Sequence, residues 1–116
     1  MGNAVRIDTS DIRWPEWVAL PAERVLAGNP LTSTVVVDEA AGRELGLWKS
    51  QPGAFATDHV GYIEYVHILS GSGRIVDDAG TVTELGPDIT VFMPVGWKGK
   101  WVIDETIVKA YTIIEV

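Results

Sequence analysis

The chain has no cysteine. That removes disulfide frameworks, thiolate zinc sites and cysteine nucleophiles together. It has only two histidines, and both lie in the stretch from residue 53 to 74, GAFATDHVGYIEYVHILSGSGR. No apolar run approaches the roughly 18 residues that a membrane-spanning helix needs, so no membrane partner is expected. Basic residues are few, nine Lys and Arg against 16 Asp and Glu, for a net charge of −7. A surface of that sign repels phosphate backbones, so nucleic acid is not an expected partner. The charge reads instead as a source of solubility. The opening MGNAVRIDTS lacks a basic-then-apolar signal pattern, and Arg6 stands where a myristoylation signal carries Ser or Thr. A cytoplasmic location is the expectation.

What the sequence does have is 116 residues, 47% of them hydrophobic, enough for one domain with its own core. Residues 1–30 carry Trp14, Pro15, Trp17, Pro21 and Pro30 without a strand-like run. They read as an N-terminal arm, with one or two helical turns in LPAERVLAGNP between Pro21 and Gly28. Its two tryptophans pack either on their own domain or on a partner subunit. Residues 31–116 read as one β domain. LTSTVVV, RELGLWKS, GYIEYVHIL, RIVDD, TVTEL, ITVFMP, WKGKWVI and IVKAYTIIEV are about eight short strands. DEAAGR, QPGAF, SGSG, AG, GPD, VG and DET read as the turns between them. No helix-period segment interrupts the strands, which implies an all-β sandwich or barrel. GSGRIV lacks the third glycine of a dinucleotide loop and precedes a strand, so a turn explains it better.

Thr57-Asp58-His59, Glu64, Leu69 and Gly71 resemble the first cupin motif, and Gly86-Pro87-Asp88 with Pro94-Val95-Gly96 resembles the second. Pro87 stands in place of the usual glycine before Asp88. Gly46, Trp48, Pro52, Gly53, Glu64, Trp101, Lys109 and Tyr111 are similar in order and spacing to the ureidoglycine aminohydrolase-like cupins, over about residues 45–116. The resemblance implies a single jelly-roll barrel, here preceded by the arm, and a homodimer in which the arm or an edge strand is exchanged. It also implies a pocket inside the barrel and, in metal-binding members, three histidines and one glutamate. The four ligand slots fall on Thr57, His59, Glu64 and Gly99. Two of the four keep a ligand type, fewer than the three protein ligands a catalytic metal site usually has. No cofactor is therefore expected. A divalent metal such as manganese, zinc or nickel would have only His59 and Glu64 to hold it.

Strand alternation sorts the remaining candidates. Glu64, Val66 and Ile68 share one face, and Tyr65, His67 and Leu69 the other, so His67 points away from a pocket that contains Glu64. Ile107, Lys109, Tyr111 and Ile113 share a face of the last strand. Two placements of Lys109 stay open: outward toward solvent or an interface, or inward and paired with Glu64. Trp48 and Trp101 read as core residues that also wall the pocket. Tyr62, Tyr65 and Tyr111 offer hydroxyls to orient a bound molecule. The functional expectation is a small-molecule-binding cupin. Glu64, His59, Lys109 and Tyr111 carry any hydrolysis or isomerisation by acid/base chemistry, and Thr57, Trp48, Trp101 and Tyr62 line the pocket. The alternatives are a metal-dependent ureidoglycine aminohydrolase-like enzyme and a non-catalytic ligand-sensing module.

Overall fold

A computed structural model describes residues 2–116, so the first residue of the arm lies outside it. The described residues form nine strands: β1 (Val18–Ala19), β2 (Val25–Gly28), β3 (Leu31–Ala40), β4 (Arg43–Ser50), β5 (Gly53–Asp58), β6 (Tyr62–Asp77), β7 (Val82–Leu85), β8 (Thr90–Met93) and β9 (Lys98–Glu115). The chain is all-β apart from one 3-10 turn at Ala22–Arg24. None of its helical segments is long and apolar enough to cross a membrane.

β9 is the spine of the barrel. Its first half pairs with β5 and its second half with β4, while β6 runs along its other edge. Every pairing is antiparallel. The curled sheet is the all-β barrel expected from the strand pattern and the jelly roll that the cupin resemblance implies. Trp101, Ile103, Ile107, Lys109 and Tyr111 of β9 are all buried and all odd-numbered, which is the period-two rule kept along the whole strand. Against them pack Phe55 of β5, Val66, Ile68 and Ile75 of β6, and Met93 of β8.

Two expected breaks in the chain are absent. SGSG does not end a strand, and DET does not separate two; β6 and β9 run through them. SGSG is instead a bulge, with the β6–β9 register shifting between Ile68 and Gly73. An extra residue in a strand exchanges its faces. Accordingly the buried positions of β6 are even before the bulge (Glu64, Val66, Ile68) and odd after it (Gly73, Ile75). Gly71 makes the bend possible: its φ is +95°, and a Cβ there would lie 2.7 Å from the Ile107 Cα and against the Thr106 carbonyl.

The first 30 residues also hold strands that their composition hides. β1 pairs with β3 and β2 with β5, so the helical turns expected between Pro21 and Gly28 shrink to the three-residue 3-10 turn. The arm's tryptophans pack on their own chain. The Lys49 ammonium lies 4.6 Å from the Trp14 ring centroid and 4.5 Å from that of Trp17, and the Ser33 hydroxyl donates to the Pro15 carbonyl.

Candidate ligand cavity

The barrel encloses a cavity of about 270 Å³. Most of its walls come from four regions. β4 supplies Glu44 and Trp48, β5 and the loop after it supply Thr57 and His59, β6 supplies Tyr62 and Glu64, and β9 supplies Trp101, Lys109 and Tyr111. Each points inward because alternation along its strand puts it on the concave face. His59 lies beyond the end of β5 but is held as firmly as a strand residue. Its N–H donates to the Trp97 carbonyl, and its own carbonyl accepts from the Gly96 N–H.

Glu64 is the centre of the polar floor. One carboxylate oxygen accepts a 2.9 Å hydrogen bond from the Lys109 ammonium, and the other lies 3.3 Å from His59 Nε2. All three side chains are buried. Lys109 is thus inside the barrel and paired with Glu64, which decides between its two placements. Its ammonium also sits 4.5 Å from the ring centroids of both Trp48 and Trp101, so the aromatic wall supports the charge as well as the core. Burial pushes the Lys109 ammonium below the usual lysine range, against the pull of Glu64. His59 stacks on Tyr62 with centroids 4.6 Å apart, and its Nδ1 is buried without a hydrogen-bond partner among the described residues.

Tyr111 reaches sideways across the sheet. Its hydroxyl donates to Glu44 at 2.5 Å, over the space left by Gly46, where a Cβ would lie 2.7 Å from that hydroxyl. Burial and then Glu44 push the Tyr111 phenol well above its ordinary range. Burial also raises Tyr62, so both hydroxyls stay protonated at neutral pH. Tyr65 lies on the outer surface, 53% exposed, outside the barrel cavity where its hydroxyl was expected. His67 shares that outer face, 3.4 Å from the Asp88 carboxylate.

Thr57, His59, Glu64, Trp48, Trp101, Tyr62, Lys109 and Tyr111 therefore line one cavity. Two further charged residues were not anticipated from the sequence, Arg24 and Glu44. Glu44 sits at alternate positions with Gly46 and Trp48 on β4, so period-two reasoning places it inside. Arg24 carries no such signal, because it stands in the 3-10 turn.

The donor set does not fit a metal. Thr57 and Gly99 are direct partners across β5 and β9, so the two non-ligand slots are adjacent. The Thr57 hydroxyl accepts a 2.8 Å hydrogen bond from Arg24. Lys109 holds a positive charge against Glu64, the carboxylate paired with His59. A dication added there would face that ammonium in a low-dielectric site. Among the described residues no three His, Asp or Glu side chains converge.

His59 also makes a pH-dependent contribution. Burial lowers its pKa from the ordinary value near 6.5, with Glu64 and Asp58 opposing the shift and Lys109 adding to it. The unfolded chain then takes up this proton at a higher pH than the folded one. The folded state is unaffected above about pH 6.5 and loses stability as pH falls below it. His59→Gln is expected to give a shallower loss of urea midpoint between about pH 7.5 and about pH 5 than the parent protein. Equal slopes would reject the assignment.

The family model of the EutQ-like cupin domain matches residues 37–111. No curated protein sequence matches the chain. Among solved structures, the EutQ protein of Clostridium difficile superposes with a TM-score of 0.73 at 16% identity, covering 95% of this chain and 86% of that one. A protein of unknown function from Pseudomonas syringae pv. tomato gives 0.78 at 18%, covering 89% of this chain and 45% of that one. A predicted oxalate decarboxylase from Thermotoga maritima gives 0.70 at 18%, covering 97% and 100%. At such identities the likeness is one of fold, and the differing names of these proteins supply no substrate.

Proposed function

The chain belongs to the EutQ-like cupin domain family, and on that premise we propose that it binds a small polar molecule inside the barrel and acts on it by metal-independent proton transfer. The observation that carries this reading is the buried Glu64 carboxylate held between the Lys109 ammonium and the His59 imidazole on a cavity wall. A carboxylate so placed can accept a proton from a bound molecule while the neighbouring ammonium returns one. Isomerisation or hydrolysis of a small metabolite is the chemistry such a pair serves. The cavity falls slightly below the roughly 300–1,000 Å³ of sites that take drug-sized ligands, which supports a ligand of a few non-hydrogen atoms. A ureidoglycine aminohydrolase-like activity would require a fuller metal set than His59 and Glu64 supply, and is not part of the proposal.

The test is solvent-deuterium incorporation into a panel of small 2-hydroxy and 2-oxo acids, followed by NMR with a chelator present throughout. The parent protein is expected to label at least one member at an acidic C–H. Glu64→Gln is expected to slow that labelling by about 10²-fold or more. Labelling that persists at the parent rate in Glu64→Gln, or that requires added metal, would reject the reading. Binding without any labelling would leave a ligand-sensing module in its place.

A further inference from the structure

We propose that Arg24 anchors a carboxylate group of the ligand at the entrance of the barrel, which makes the ligand a small monocarboxylate. The proposal rests on the barrel-binding reading above and deepens it by naming the ligand's class. Arg24 lines two neighbouring spaces. One is the inner cavity with Glu64 and Lys109; the other is an outer vestibule of about 580 Å³, and Thr57 and Tyr62 line both with it. The guanidinium therefore stands on the wall that the two spaces share.

Its side chain is already fixed in place. Nε donates to the Ala56 carbonyl at 3.0 Å, Nη2 donates to the Thr57 hydroxyl at 2.8 Å, and the guanidinium sits 5.6 Å from the Phe55 ring centroid. A guanidinium has five N–H donors. The two protein contacts leave three without a partner among the described residues. It also has no carboxylate within the 4.0 Å that defines an ion pair, although Asp58, Asp78 and Lys98 share the vestibule wall. Lys109, by contrast, is already ion-paired with Glu64. Arg24 is thus a pre-positioned cation at the cavity with its fork still open, and a planar carboxylate is the group that such a fork pairs with in a bidentate manner. A single negative charge is favoured over a polyanion because the Glu44 and Glu64 carboxylates share the same cavity. A carboxylate on Arg24 leaves the other end of the molecule directed toward Glu64, Lys109 and the unpartnered Nδ1 of His59.

The experiment compares carboxylates with their neutral amides on the full chain, by NMR titration: glycolate with glycolamide, lactate with lactamide, and inorganic phosphate as a separate probe. Each carboxylate is expected to bind about tenfold or more tightly than its amide. Arg24→Gln is expected to level each pair, and Arg24→Lys to retain part of the preference. Thermal midpoints are recorded for both variants. Should Arg24→Gln fail to fold, the parent preference and its partial retention in Arg24→Lys carry the test. A purely structural Arg24 would lower the midpoint and weaken acid and amide alike, which overturns the proposal. Amides that bind in the barrel as tightly as acids also overturn it and leave the barrel reading standing. Phosphate binding more tightly than the monocarboxylates overturns the ligand class. If no probe binds at millimolar concentration, the anchor and the barrel reading fall together.

Discussion

Lys109→Met is expected to destabilise the protein by about 3–5 kcal/mol, the usual cost of removing one partner from a buried ion pair. For a chain of this length that is a fall of roughly 12–20 °C in thermal midpoint, at about 4 °C per kcal/mol. Methionine keeps an unbranched apolar stem and packs well on aromatic rings, so the contacts with Trp48 and Trp101 are largely preserved. The loss then reports the charge. Glu64 is left buried with His59 as its remaining ion-pair neighbour. The double variant Glu64→Gln/Lys109→Met is expected to recover much of the loss, because it removes the uncompensated charge rather than creating one. Urea unfolding of the four proteins of this cycle gives the coupling directly. Additive effects of the two substitutions would show that the buried contact is not what stabilises either group.

Gly71→Ala is expected to cost a comparable amount, roughly 2–6 kcal/mol, from two sources that act together. The φ of +95° is a conformation that residues with a Cβ rarely adopt, worth about 1–3 kcal/mol of strain. The new methyl group would also press on the backbone of Thr106 and Ile107 across the sheet, where neither neighbour is a side chain able to turn aside. Overpacking of that kind costs about 1–3 kcal/mol more. The consequence reaches the cavity, because this bulge lets Glu64 and Ile75 face the same interior from opposite sides of the bend. A variant that shifts its thermal midpoint by less than about 4 °C would show that β6 bends without this glycine.

The inferences from sequence that held are the ones that depend on period two. Once GYIEYVHIL is a strand, Glu64 and His67 must lie on opposite faces, and so they do. The same rule put Lys109 and Tyr111 in one row, and both are in the cavity. It left open which way the row faces, since a strand with two covered faces is apolar on both. That was decided by pairing: β4 on one edge of β9 and β6 on the other bring Trp48 and Glu64 to Lys109.

Composition was misleading where glycine and serine serve two purposes. SGSG is as suitable for a turn as for a bulge, and only the continuous β9 alongside it selects the bulge. Arg24 was invisible for a different reason. Its partners, Ala56 and Thr57, lie more than 30 residues later and are reached only because β2 pairs with β5. The sequence by itself determined the strand type of residues 31–116 and the faces of their uninterrupted runs, because those follow from residue-to-residue alternation. Only the tertiary structure decided which charges meet, Glu64 with Lys109 and His59, Glu44 with Tyr111, and Arg24 with β5, because such contacts depend on how distant strands pair and curl into a barrel.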